Sequence, residues 1–172
     1  HDPSARPMSR PNPIIALYPG SFDPITRGHE DIVRRGLRVA DEVIVAVAHT
    51  STESKCGLFS VDERVALISE VFREEPRIRA IPFSGLTVDV AEAQGAHLVI
   101  RGLRAVSDFE YELQMAQMNQ ELRPELETLF LVPEVHHSFI SSSLVREVAA
   151  LGGDVSSFVS PSVLAELEQK LT

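Results

Sequence analysis

A chain of 172 residues, 44% of them apolar and 24% charged, has the composition of an ordinary folded domain and is long enough to bury a real core. The formal net charge of -9 argues against non-specific nucleic-acid binding, which sums Lys and Arg contacts to phosphates, yet leaves room for a small phosphate ligand. No apolar run nears the roughly 18 residues a membrane helix needs, no secretory h-region opens the chain, and the one cysteine, Cys56, has no internal partner, so the expectation is a cytoplasmic protein without nucleic-acid or membrane partners.

Residues 1–13 (HDPSARPMSRPNP) read as a tag remnant and flexible arm with a natural start near Met8, leaving 14–172 as one domain. Ile14 to Tyr18 is a short apolar, β-branched strand ended by Pro19 and Gly20. A helical stripe of Ile32, Val33, Gly36, Leu37 and Ala40 follows over 28–40. Glu42 to Ala48 (EVIVAVA) has the continuous apolar pattern of a strand buried on both faces. Ser60 to Glu63 (SVDE) is a capping box opening a helix with Val61, Val65, Ile68 and Phe72. Next come a weaker strand over 77–83, a short helix from about Thr87 to Gly95, and the strand His97 to Ile100. A long helix runs from Asp108 to Leu122 and stops at Pro124; Thr128 to Val132 is the fifth strand. Ser143 to Leu151 is helical, and Ser160 with Pro161 supplies an N-cap and an N1 proline for the last helix. Five strands interleaved with helices predict an α/β fold, a doubly wound parallel sheet with helices on both faces and its ligand site at the carboxyl ends of the strands.

Polar residues gather at those ends. In YPGSFDPITRGH (18–29), Gly20 permits a sharp turn, Ser21 adds a hydroxyl, Pro24 stiffens the connection, and the first helix begins with unpaired N–H groups that favour a phosphate. His29 shares the inward stripe with Ile32 and Val33; alone it would read as a core histidine, but the turn and Gly28 before it point to a ligand-facing one. Ser141, Ser142 and Ser143 open a later helix, a second phosphate-friendly start, although plain N-capping would explain a serine cluster on its own. Arg101 and Arg104 suit phosphate recognition, or else pair with the Glu-rich helix beside them; Asp108, Glu112, Met115 and Asn119 line one face of that helix, where Glu112 and Asn119 read equally as functional or as a solvated face. Tyr111, Met115, Met118 and Leu122 read as core or subunit interface, and Lys55 as a loop cation able to close over a phosphate or, taken alone, as a solvent-exposed lysine. No zinc spacing, Walker A pattern or GxGxxG occurs, so no protein metal site is expected.

Taken together, TRGH (26–29), VIRGLRAVSDFEYELQMAQMN (99–119) and HSFISSSLV (137–145) resemble, in order, the motifs of bacterial phosphopantetheine adenylyltransferases within the nucleotidyltransferase superfamily. The resemblance spans nearly the whole chain from about Ile15. It implies reversible transfer of AMP from ATP to 4′-phosphopantetheine, giving dephospho-coenzyme A and pyrophosphate with Mg²⁺, in a homohexamer open to feedback by coenzyme A. It further implies that Ser21, Lys55, Thr87 and Arg101 contact the pantetheine substrate. ATP would contact Ser21, Phe22, His29, Gly102, Leu103, Arg104, Glu112, His137, Ser138, Phe139, Ile140, Ser141, Ser142 and Ser143. The resemblance gives His29 the stabilisation of the transition state, and the chemistry of two reacting phosphates adds that His29, Lys55 and Arg104 can supply cationic stabilisation. Ser21, Thr87 and His137 depart from residues common in the family, a threonine, a larger apolar residue and an aromatic. Two other readings stay open on the residues alone: a superfamily transferase acting on nicotinamide mononucleotide or a cytidylyl acceptor, and a non-catalytic nucleotide sensor.

Overall fold

The computed structural model describes residues 12–49 and 57–172. In chain order the elements are β1 (Ile15–Gly20), α1 (Arg27–Gly36), β2 (Glu42–Ala48), α2 (Val61–Val71), β3 (Ile78–Phe83), α3 (Thr87–Ala93), β4 (Leu98–Gly102), α4 (Val106–Leu122), β5 (Glu127–Leu131), a 3-10 turn (Val135–His137), α5 (Ser142–Ala150) and α6 (Pro161–Leu171). The strands form one sheet in the order β3-β2-β1-β4-β5, every neighbouring pair parallel. This is the fold class expected from the alternation of patterns.

Side chains alternate across each strand, and the two faces bury different sets. Ala16, Tyr18, Val43, Val45, Val47, Leu98 and Ile100 pack under α1, α2, α5 and α6, through Ile32, Ile68, Val145, Val163 and Leu167 among others. Leu17, Ile44, Ala46 and Val99 face the other way, toward Val88 and Ala91 of α3 and toward Leu126. Burial on both faces is why β1, β2 and β4 read as unbroken apolar runs. The second face is covered thinly, and α4 leaves Phe109, Tyr111, Met118 and Leu122 exposed. The stripe Tyr111, Met115, Met118 and Leu122 is therefore not core within this chain.

Local boundaries differ from the sequence reading by a few residues at several elements, and three differences bear on the site. Helix α1 stops at Gly36 rather than Ala40; a Cβ there would lie 2.8 Å from Ile100 Cδ1, so the helix end is pressed onto the sheet. Beyond it, Leu37 and Arg38 donate to Arg34 and Arg35 in a tighter i→i−3 turn. Strand β4 continues through Arg101 and Gly102 because both pair with β5, opposite Phe130 and Leu131. The turn Val135–His137 has too few residues for any periodicity and was not anticipated; the His137 N–H donates to the Glu134 carbonyl at 2.9 Å. Since the chain leaves β1 for β2 on one side and comes back to β4 on the other, the strand order reverses between β1 and β4, and their carboxyl ends part there to leave a crevice.

Candidate active site

The site starts where β1 ends. Gly20 is required for close approach: a Cβ on it would lie 3.0 Å from the Phe22 ring. Phe22 itself takes φ +48°, the left-handed region, and so turns its ring inward. That ring is buried, edge-on to Tyr18 at 5.2 Å and to His29 at 5.0 Å between centroids. Asp23 follows, buried, and its two carboxylate oxygens accept the Leu58 and Phe59 N–H groups, each at 2.9 Å. Arg64 Nε stands 3.5 Å from the same carboxylate, and the Arg64 guanidinium also donates to the Phe59 and Ser21 carbonyls. One buried carboxylate thus ties the β1–α1 turn to the segment entering α2.

Thr26 caps α1. Its Oγ1 accepts the His29 N–H, and His29 Nδ1 accepts the Thr26 N–H at 3.1 Å, a capping box with histidine in the place glutamate usually takes. A backbone N–H can only donate, so Nδ1 carries the lone pair and the neutral ring holds its proton on Nε2. Burial, reinforced by Arg104 and Arg101, pushes the His29 pKa down to about 4. Burial likewise drives the neighbouring Tyr18 phenol up to about 12. Both groups are uncharged at neutral pH.

Helix α5 is fastened to the same turn. Ser141 caps it by accepting the Leu144 N–H at 3.1 Å, Ser142 Oγ donates to the Pro24 carbonyl at 2.7 Å, and Arg146 donates to the Asp23 carbonyl. The N-termini of α1 and α5 therefore open onto one cleft of about 260 Å³, above the β1–β4 gap. Arg104 reaches across it to the Ile140 carbonyl at 3.2 Å, with Asp108 3.5 Å from its Nε. The Arg101 guanidinium binds Glu112 bidentately, at 2.9 and 2.6 Å, and also donates to the Pro19 carbonyl. Burial opposes its charge, but Glu112 outweighs this and raises the Arg101 pKa. Behind this pair lies a second compartment of about 210 Å³ containing Thr87, Phe83, Met115 and Asn119. Ser21, Arg101 and Glu112 face both spaces.

Residues 17–148 match the model of the cytidylyltransferase-like family. A phosphopantetheine adenylyltransferase from Thiobacillus denitrificans is 54% identical over 158 residues, spanning 92% of this chain and 98% of the relative. Its counterpart from Syntrophotalea carbinolica is 55% identical over 156 residues, 91% of this chain and 93% of the relative. The chain belongs to the phosphopantetheine adenylyltransferase family. A lipopolysaccharide core biosynthesis protein from Thermoplasma volcanium shares the fold, with a TM-score of 0.53 over 72% of this chain and 98% of its own, at 23% identity.

Of the residues expected from the family motifs, Ser21, Phe22, His29, Arg101, Gly102, Arg104, Glu112, His137, Ile140, Ser141 and Ser142 line the main cleft, and Thr87 lines the adjoining compartment. Leu103, Ser138, Phe139 and Ser143 do not. The Leu103 N–H is spent on the Leu131 carbonyl, Ser138 Oγ on Val135, and Ser143 Oγ accepts from Arg146, while Phe139 packs edge-on against Phe158. Lys55 and Cys56 lie outside the described residues. Buried and uncharged in this structure, His29 offers an N–H donor where the sequence reading expected cationic stabilisation. The sequence reading missed Thr26 as the partner of His29 and Asp23 as an organiser. Threonine three residues before histidine was the available signal for the first; for Asp23 there was only a carboxylate beside a proline.

Proposed function

We propose that the chain transfers the adenylyl group of ATP to 4′-phosphopantetheine, forming dephospho-coenzyme A and pyrophosphate. The observation that carries this reading is the two-compartment cleft, in which two helix N-termini meet and the Arg101–Glu112 pair divides the space. The triphosphate belongs where α1 and α5 converge, because unpaired N–H groups and both helix dipoles favour anions there. The acceptor belongs in the compartment of Thr87 and Asn119, its phosphate entering past Ser21 and Arg101.

An acceptor phosphate oxygen attacks the α-phosphorus, a new P–O–P bridge forms, and the bond to the β-phosphate breaks in line to release pyrophosphate. The acceptor is largely dianionic at neutral pH, its second pKa being about 6, so no general base is needed. What remains for the side chains is alignment and electrostatic stabilisation. His29 Nε2–H donates to an α-phosphate oxygen, Arg104 supplies positive charge beside it, and Lys55 adds a second cation. Thr26 keeps the His29 proton on the nitrogen that faces the nucleotide.

Asp108 and Glu112 are the only carboxylates in the cleft among the described residues, and each already faces an arginine. That donor set suits a Mg²⁺ carried in on the nucleotide rather than one caged by protein. When bound, the ion neutralises charge on the β- and γ-phosphates. No described helix is long and apolar enough to cross a membrane, and we place the enzyme in the cytoplasm as a homohexamer, with coenzyme A occupying the acceptor compartment as a feedback ligand.

Pyrophosphate release, measured with ATP and Mg²⁺ against 4′-phosphopantetheine, nicotinamide mononucleotide and cytidylyl-type acceptors, tests the assignment. Turnover only with 4′-phosphopantetheine is the expected result; equal or better turnover with another acceptor rejects it. ATP binding without pyrophosphate release from any acceptor would instead identify a nucleotide sensor.

A further inference from the structure

The 3-10 turn between β5 and α5 brings together three side chains that the proposed reaction does not use as a group. Glu134, His136 and His137 each offer a ligand atom, and these atoms lie within 4.8 Å of one another. Glu134 Oε2 is 3.2 Å from His136 Nε2, and the two imidazole centroids are 4.0 Å apart. An ordinary ion pair would account for Glu134 and His136 alone. It leaves His137 unexplained, because its Nδ1 is buried with no hydrogen-bond partner, one of only two such side-chain atoms among the described residues. A buried polar atom without a partner is unfavourable, and a ligand bound at the turn would offer it one.

We propose that Glu134, His136 and His137 bind one divalent cation of the zinc class at the lip of the nucleotide cleft. Two imidazoles and a carboxylate select zinc and its first-row neighbours over Mg²⁺, which prefers oxygen donors and holds its waters tightly. Three protein ligands leave a further coordination position to water. The backbone is set in advance: the His137 N–H donates to the Glu134 carbonyl at 2.9 Å, and Ser138 Oγ to the Val135 carbonyl at 2.8 Å. Zinc donors stand about 2 Å from the ion, so the side chains would close in on it from their present spacing. The spacing E-x-H-H is no zinc signature in sequence; the tight turn makes the cluster. His137 also lines the cleft, and its carbonyl would lie 3.5 Å from a Cβ on Gly28, so the ion fixes a residue at the nucleotide's entrance.

Zinc titration of the full chain against a chromophoric chelator, in buffer containing excess Mg²⁺ and no nucleotide, tests this without reference to catalysis. One zinc per chain in the micromolar range is expected. His136→Ala, Glu134→Gln and His137→Trp should each weaken it at least tenfold, the tryptophan keeping bulk at the cleft. Cys56→Ser and His1→Ala should leave it within twofold. Absence of stoichiometric zinc binding, affinity retained within twofold in His136→Ala, or loss in Cys56→Ser or His1→Ala would each overturn the site.

Discussion

Because the Thr26 N–H donates to Nδ1 and burial holds the His29 pKa down to about 4, the resting ring is neutral with its proton on Nε2, and in the proposed reaction it would act as a neutral donor. A neutral, preoriented N–H aimed at developing charge loses no solvation during the step, which is where such donors gain their effect. His29→Ala should lower kcat at least about a hundredfold while the KM for ATP stays within a few-fold; steady-state kinetics showing near-normal turnover would remove His29 from the mechanism. The same shift has a thermodynamic signature. Unfolded, the ring titrates near 6.5, so between pH 6.5 and 4 the unfolded chain binds the extra proton and stability falls as the pH is lowered. The Tm should drop across that window, and His29→Asn should flatten the drop; an unchanged slope would contradict a depressed pKa. Asp23 acts through structure alone. Asparagine there can accept only one of the Leu58 and Phe59 N–H groups and turns a donor toward the other, so Asp23→Asn should cost at least about 2 kcal/mol in urea denaturation.

At the scale of elements, α1 and α5 owe their shared cleft to the turn between β1 and α1, which accepts hydrogen bonds from α5 at Asp23 and Pro24. Ser142→Ala removes one of these and leaves the Ser141 cap in place. Its expected effect is a several-fold rise in the KM for ATP with a Tm change of only a few degrees, read from kinetics and calorimetry together. The two helix starts were legible in sequence because each puts hydroxyl-bearing residues just ahead of an apolar helical stripe. The parallel sheet was legible in the alternation of strand-like and helix-like segments, its strand order was not, and β2 was bounded correctly because its run is short and β-branched. What escaped notice depends on three-dimensional closure. The left-handed backbone of Phe22 and the Glu134–His137 turn are made by contacts that periodicity does not show, and the capping box of Thr26 and His29 is local but puts histidine where glutamate is usual. Arg101 shows the same limit: its pairing with Glu112 was weighed as an alternative to phosphate binding, whereas the geometry joins the arginine to the glutamate at the very border of both compartments.

For the whole molecule, the uneven covering of the sheet has a consequence. The face under α1, α2, α5 and α6 is closed, while α4 presents Phe109, Tyr111, Met118 and Leu122 to solvent. An exposed apolar stripe of this kind marks an association surface, in keeping with the hexamer proposed above. Sedimentation velocity should give a species larger than the single chain, and Met118→Glu combined with Leu122→Glu should shift it to smaller assemblies with the circular dichroism spectrum preserved; a parent chain that sediments as a monomer would remove α4 from any interface. The proposed reaction comes down to one event, attack by an acceptor phosphate on the α-phosphorus in the cleft between β1 and β4. Mass spectrometry of products formed from ATP and 4′-phosphopantetheine labelled with ¹⁸O in its phosphate observes that event directly. The account predicts dephospho-coenzyme A carrying every label beside unlabelled pyrophosphate, whereas no adenylylated product, or label appearing in pyrophosphate, would contradict it.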